Sequence, residues 1–275
     1  MKPIKLILTD IDGTILPLGQ KVVSEHTRMA IRTALDAGIR VGVATGRALS
    51  GALPTFGGDA TYIQTALAVN GMQVYLDGAL IHEERLDHDQ LVRIAEAVRA
   101  VPRAGFICFG GSQVDEVHLV SGVVEDLAIA FPAYAEKAQP AAAVPDFPIV
   151  KANVFVAGDM AATRALIDYL REKVPGIGFN LPMPAFLNVV PLGYSKATGI
   201  DHLCTALGVG LDEVMVFGDG GNDLEMLQHV ENSVAVANAA PEVLAAARYR
   251  IGDCADESVA AVMLALAAGK NPFAG

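Results

Sequence analysis

Three short apolar runs constrain this chain more than any other feature: Ile4-Lys5-Leu6-Ile7-Leu8, Val41-Gly42-Val43-Ala44 and Val214-Met215-Val216-Phe217. Each has the length of a strand, and each breaks off into a polar, glycine-containing turn. The turns are Asp10-Ile11-Asp12-Gly13-Thr14, Thr45-Gly46-Arg47 and Gly218-Asp219-Gly220-Gly221-Asn222-Asp223. Continuous apolar runs of this kind read as strands buried on both faces, as in parallel sheets covered by helices. Open α/β sheets place their chemistry where the carboxyl ends of such strands give way to loops. Between the first two runs, Ser24 can cap a helix reaching about Ala37, with Met29, Ala30, Ile31, Ala34 and Leu35 on one stripe and Gly38 at its end. A strand-helix-strand unit results.

Asp10 and Asp12 are two residues apart on extended backbone, so their side chains share a face and can address one metal ion and one substrate atom. Asp-x-Asp-Gly alone is a common turn composition. An EF-hand loop is excluded, because its acid spacing and its glutamate at loop position twelve are missing. A second strand end rich in acids and glycines, at Asp219 to Asp223, gives the first one company. Thr45 offers a hydroxyl, Gly46 close backbone approach and Arg47 a guanidinium, groups that together bind phosphate. Lys196 stands just ahead of the helical pattern Ile200, Leu203, Cys204, Leu207 that closes at Gly208, so its ammonium can be held at a helix start.

The order Asp-x-Asp-Gly-Thr, Thr-Gly-Arg, Lys and Gly-Asp-x-x-Asn-Asp resembles the haloacid dehalogenase (HAD) superfamily of phosphotransferases. The long segment between the second and third motifs resembles the C2B-type cap of its Cof-type subfamily IIB. Asn70-Gly71, Asn222-Asp223-Leu224-Glu225-Met226-Leu227 and Val236-Ala237-Asn238-Ala239 add to the likeness, while Ala197 and Ala237 stand where many members have glycine. The resemblance implies an α/β fold, a Rossmann-like parallel-sheet core with an inserted α+β cap. It also implies a Mg²⁺-dependent phosphatase that hydrolyses small phosphate monoesters, a sugar phosphate or related phosphometabolite, through an aspartyl-phosphate. In that scheme Asp10 is the nucleophile and Asp12 the acid that later acts as base, with Thr45 and Lys196 completing the catalytic set. Gly46, Arg47 and Asn222 would bind the phosphate. The Asp10 and Asp219 carboxylates and the Asp12 backbone carbonyl would hold Mg²⁺, and Asp223 would orient Lys196 or metal-bound water. Two alternatives share the fold: a phosphosugar mutase, and a noncatalytic phosphometabolite-binding protein. Thr14 departs from the apolar residue that related mutases often carry, and a sensor would be expected to lack Asp10, Asp12 or Asp219.

The organisation expected is a core from residues 1–79 and 190–275 around a cap at 80–189, with hinges near Asp77 to Leu80 and Val189 to Gly193. In the core, Ala66 to Val69 and a hairpin turning at Asp77-Gly78 read as strand, as do Val234 to Val236 and Tyr249 to Ile251. In the cap, helices near Asp89 to Val101 and Ala161 to Val174 alternate with strand-like runs such as Phe106 to Phe109, Val117 to Val120 and Ala152 to Val156. Pro132 to Pro148 reads as an irregular cap segment. Phe109-Gly110-Gly111-Ser112 and Pro182-Met183-Pro184 read as turns without a site role.

A net charge of −11 over 275 residues argues against nucleic acid or an anionic membrane surface as partner. One phosphate can still be attracted locally by a divalent cation, Lys196 and Arg47. No run has the length of a membrane span or of a signal segment, so a cytoplasmic protein is expected. Cys108, Cys204 and Cys254 are widely spaced and odd in number, which reads as buried thiols in a reducing compartment. His26, His82, His88, His118, His202 and His229 show no metal-ligand spacing. Oligomeric state is not encoded in any of these features.

Overall fold

A computed structural model describes residues 2–110 and 116–273; Gly111 and Ser112 of the expected turn lie outside the described residues. In chain order its strands are β1 (Leu6–Thr9), β2 (Arg40–Ala44), β3 (Ala66–Ala68), β4 (Gln73–Leu76), β5 (Ala79–Glu83), β6 (Ala104–Phe109), β7 (Val117–Ser121), β8 (Ala138–Pro140), β9 (Lys151–Val156), β10 (Ile177–Met183), β11 (Phe186–Pro191), β12 (Val214–Gly218), β13 (Asn232–Ala235) and β14 (Tyr249–Arg250). The chain divides into two compact units, Met1–Glu83 with Ser195–Gly275, and Glu84–Tyr194.

The first unit is built on one eight-stranded sheet in the order β14-β13-β12-β1-β2-β3-β4-β5. From β14 to β3 every pairing is parallel. Every residue of β1 and β12 is buried, as expected for strands with helices on both faces. Leu8 pairs with Val216 and Thr9 with Phe217, so the two strands end side by side, and the sheet order reverses there. This is a topological switch point, the place where open α/β sheets leave a crevice. The helix Glu25–Asp36 has Ser24 as its N-cap, accepting from the Thr27 N–H, and buries Thr27, Ala30, Ile31 and Ala34.

The antiparallel hairpin β4–β5 completes this sheet, with Leu76 paired to Ala79 and its two turn residues Asp77 and Gly78 both at positive φ, 52° and 78°. That is the backbone of a tight primed hairpin turn. The segment from Asp77 to Leu80, expected as a hinge, therefore lies inside a hairpin of the first unit. Val189 and Val190, expected in the second hinge, are paired residues of β11. The units divide instead at Glu83/Glu84 and Tyr194/Ser195.

The second unit holds a six-stranded sheet, β10-β11-β9-β6-β7-β8, antiparallel except for β7 with β8. Helices His88–Val98 and Met160–Lys173 are capped by Asp87 and Asp159 and bury Leu91, Ile94, Val98 and Leu166, Ile167, Leu170. One sheet face carries Ile107, Phe109, Phe155 and Phe186, packed with Leu127, Ala130, Phe131 and Tyr134 from the short helices Val124–Ala130 and Pro132–Ala135 and the bend between them. The stretch from Pro132 to Pro148 is thus partly regular, containing that second helix and β8. All three cysteines are buried free thiols. No helix among the described residues is long and apolar enough to cross a membrane.

Candidate active site

The site assembles at the carboxyl ends of β1, β2 and β12. Asp10 follows β1 directly, and its N–H donates to Phe217 O at 2.9 Å, extending the β1–β12 ladder by one bond and fixing the backbone below the carboxylate. Lys196 is the first residue of the helix Lys196–Leu207, which opens with a capping box between Ser195 and Thr198. That helix start comes close to the β3–β4 connection because Gly71 is there: a Cβ on Gly71 would meet Ser195 O at 2.8 Å, and φ is +90°.

The Lys196 ammonium is fully buried and donates to Asp10 Oδ1 and to Asp223 Oδ1, both at 2.6 Å. Burial alone would lower its pKa, but the two carboxylates outweigh burial and hold the ammonium above its ordinary range. Asp223 is equally buried, and its second oxygen accepts from the Asp219 and Gly220 N–H groups, each at 3.0 Å. Asp219 Oδ1 accepts from the Thr14 hydroxyl at 2.6 Å. Gly13 makes that contact possible, since at φ +82° a Cβ would lie 2.3 Å from Asp219 Oδ2.

Asp10, Asp219 and Asp223 each bring one carboxylate oxygen to within 4.8 Å of the others. The charge is unbalanced. Burial pushes Asp10 well above the usual carboxylate range, opposed by Lys196 and reinforced by Asp223, Asp219 and Asp12. Burial also raises Asp219, to about 7, with Asp223 adding to the effect. Both oxygens of Asp223 are engaged, whereas Asp10 and Asp219 each keep an oxygen with no partner among the described residues. An all-oxygen set with surplus negative charge fits a hard divalent cation, with Asp10 and Asp219 as donors and Asp223 as the group that anchors Lys196 and the loop.

Asp12, unlike Asp10, is substantially exposed, and both its oxygens are occupied by Arg47, Nε to Oδ2 and Nη2 to Oδ1, each at 2.7 Å. Arg47 Nη1 also donates to Gly51 O at 3.1 Å. The expected phosphate-binding guanidinium is therefore held in a fork on the expected acid. Thr45 is buried, and its hydroxyl oxygen accepts from the Arg47 N–H at 3.1 Å. Asn222 Nδ2 donates to Asn70 Oδ1 at 3.0 Å, and the Asn70 side chain lies against Gly46, 3.3 Å from where a Cβ would stand.

Three residues at the site escaped a role in the sequence reading. Asn70 sits at φ 56°, donates its N–H to Thr45 O and holds Asn222. Its signal was present in Asn70-Gly71, because asparagine and glycine are the residues that tolerate left-handed backbone. Asn238 Nδ2 donates to Gly13 O at 2.7 Å, fixing the turn between Asp12 and Thr14. Thr14 holds Asp219.

Residues 7–263 match the haloacid dehalogenase-like hydrolase family. The chain belongs to that family. As a HAD-like hydrolase it is an enzyme, and relatives share its full length. One is the 5-amino-6-(5-phospho-D-ribitylamino)uracil phosphatase YbjI of Escherichia coli (strain K12), 29% identical over 276 residues, 98% of either chain. A longer relative, matched over only part of its own length, is "Endoribonuclease YBEY, chloroplastic" of Arabidopsis thaliana, 28% identical over 263 residues. That alignment takes in 88% of this chain but 43% of the plant protein, so the HAD-like chain spans less than half the length of that relative. The solved HAD subclass IIB sugar phosphatase BT4131 has the same fold, with a TM-score of 0.77 at 22% identity, covering 94% of this chain and 97% of that one.

Proposed function

We propose that this HAD-like hydrolase is a Mg²⁺-dependent phosphatase of small phosphate monoesters, acting through an aspartyl-phosphate on Asp10. The observation that carries the reading is the buried Lys196 ammonium bridging Asp10 and Asp223 beside Asp219 at the switch point of the sheet. Phosphatases among its full-length relatives support the same class. Lys196 orients the Asp10 carboxylate, one oxygen of which forms a bond to phosphorus as the bond to the alcohol oxygen breaks. Covalent catalysis of this kind divides one displacement into two. Thr45, Gly46, Lys196 and Asn222 would supply donors to the phosphoryl oxygens, where charge spreads in the transition state. Mg²⁺ held by Asp10, Asp219 and the Asp12 carbonyl would supply charge neutralisation at those oxygens.

Asp12 would protonate the departing alcohol and then take a proton from the water that hydrolyses the aspartyl-phosphate. Its present fork with Arg47 occupies both carboxylate oxygens, so it must open first. A substrate phosphate competes for the same guanidinium, which joins phosphate binding by Arg47 to the release of Asp12. The test is hydrolysis of p-nitrophenyl phosphate with Mg²⁺ and with chelator, for the wild type and Asp10→Asn. Mg²⁺-dependent release of phosphate by the wild type alone is expected; full activity in chelator, or in Asp10→Asn, overturns the mechanism.

A further inference from the structure

The β3–β4 connection bends through three consecutive residues with left-handed backbone, Val69 at φ 50°, Asn70 at 56° and Gly71 at 90°. Glycine occupies that region freely and asparagine tolerates it, but a β-branched valine is held there at a cost. Backbone of this kind persists only where the surroundings fix it, and it gathers at sites that bind or react. Here the surroundings are the site itself. The Val69 N–H donates to Arg47 O and the Asn70 N–H to Thr45 O, both at 2.9 Å, so the bend is bonded to the Thr45–Arg47 turn. At Gly71 the start of the helix Lys196–Leu207 comes close, with the place of a Cβ 2.8 Å from Ser195 O and 3.3 Å from Lys196 Cα. The Asn70 side chain takes Asn222. One short bend therefore meets all three segments that carry the donors expected to hold phosphate.

Asn222 lies in the turn Gly221–Asp223 just beyond β12, and a carboxamide there can offer an approaching ligand either its oxygen or its nitrogen. Which end it offers decides whether an anion is repelled or bound. Asn70 fixes the orientation, because its Oδ1 accepts from Asn222 Nδ2 at 3.0 Å. A carboxamide nitrogen carries two N–H groups, so one is engaged by Asn70 and the second is left for a phosphoryl oxygen. Asn70 is 1% exposed and Asn222 8%, so this bond is made away from water, where an amide turned the wrong way leaves a mismatched pair that solvent does not repair. A residue needed only for its left-handed backbone would require no such side chain, since glycine serves that purpose.

We infer that Asn70 is a positioning residue for phosphate binding, which orients the Asn222 amide through its own side chain while its backbone holds the Thr45–Arg47 turn. The inference rests on the phosphatase reading and adds a residue that acts through Asn222 rather than on the reacting atoms. Its two contributions can be separated. Glycine at position 70 keeps the N–H and the left-handed backbone and removes only the carboxamide; alanine removes the carboxamide and also strains the backbone.

The test uses the full-length protein with Mg²⁺ and p-nitrophenyl phosphate, with inorganic phosphate as the competing ligand. In Asn70→Gly the Ki of phosphate should rise about tenfold and kcat/KM should fall by a similar factor, the scale of one hydrogen bond to a charged group. Asn70→Ala should show the same rise in Ki but melt below Asn70→Gly. The double variant Asn70→Gly/Asn222→Ala should bind phosphate within about twofold of Asn222→Ala alone, because residues that act through one donor do not add. Additive losses in the double variant overturn the inference, as does an unchanged Ki in Asn70→Gly. A defect confined to Asn70→Ala also overturns it, by assigning Asn70 to the backbone alone. All three outcomes leave the phosphatase reading standing while the wild type hydrolyses the ester; a wild type that releases no phosphate with Mg²⁺ overturns both.

Discussion

Each unit of the protein buries a lysine at the end of a sheet strand or the start of a helix, and the two have opposite surroundings. Lys196 in the first unit sits between two carboxylates, Asp10 and Asp223. Lys151 in the second has a phenol and two aromatic faces and no acid among the described residues. The first arrangement fixes charge in a mutually dependent cluster, where loss of one member strands the others. The second keeps a cation in a weakly polar setting that tolerates its removal. Buried charge clusters of the first kind are where strongly perturbed carboxyl groups gather.

The largest expected difference is in turnover. Asp10→Asn should lower kcat by about 10⁴-fold or more, the scale seen when a nucleophile is removed. Its fold should survive, because Asp223 still pairs Lys196 and one of several crowded carboxyls loses its charge. Circular dichroism alongside phosphate release checks both halves. Exchanging the lysines comes next. Lys196→Met leaves Asp10 and Asp223 facing each other without a cation and should cost about 3–5 kcal/mol, the range for breaking a buried pair. Lys151→Met should change stability by no more than about 1 kcal/mol, since no buried partner charge is left behind. Urea denaturation of the two variants compares them directly, and equal losses would erase the contrast between the units.

How much of this could be read beforehand differs between the units for the same reason. Apolar runs ending in acids and glycines exposed β1, β2 and β12, and Ser24 stands where an amphipathic stripe begins; Asp87 and Asp159 as caps emerged only with the structure. In the second unit β10 and β11 were not recognised as strands. Their alternation is broken by Asn180 and Asn188, polar residues on a buried face, and Pro182 interrupts the run within the register shift between Asn180 and Met183. Polar residues on a buried face hide these strands from hydrophobic periodicity. At the candidate site the structure brings the motif residues Asp10, Lys196, Asp219 and Asp223 together, whereas the Asp12–Arg47 fork and the Asn70–Asn222 bond join residues far apart in sequence and emerged only with the fold.

Two smaller effects refine the picture of the first unit. In the metal-free protein Asp219 is raised to about 7 from an ordinary 3.8. The folded state then holds a proton that the unfolded state releases across that interval, so this group's contribution to stability falls as pH rises from about 4 to about 7. Melting of metal-free protein should therefore shift downward between pH 6 and pH 8, and Mg²⁺ should reduce the shift. Thermal scans at both pH values, with and without Mg²⁺, measure it. Smallest of all is the stability effect of Arg47→Ala, within about 1 kcal/mol for an exposed pair. Its kinetic effect sorts the roles of Arg47: a raised KM marks phosphate binding, and a lowered kcat marks positioning of Asp12.

The pairing of β1 with β12 also has a consequence for how the protein is made. Asp10 meets Lys196 across 186 residues of chain, and Thr14 meets Asp219 across 205. The contiguous segment Glu84–Tyr194 intervenes and is synthesised in full before either partner. Until Val214–Gly218 arrives, one edge of β1 lacks its neighbour and the aspartates wait beside an open strand, with the loop-closure entropy of the longest contacts still to be overcome. The residue translated near the beginning thus gains its cationic partner and its full set of neighbours only as synthesis nears its end.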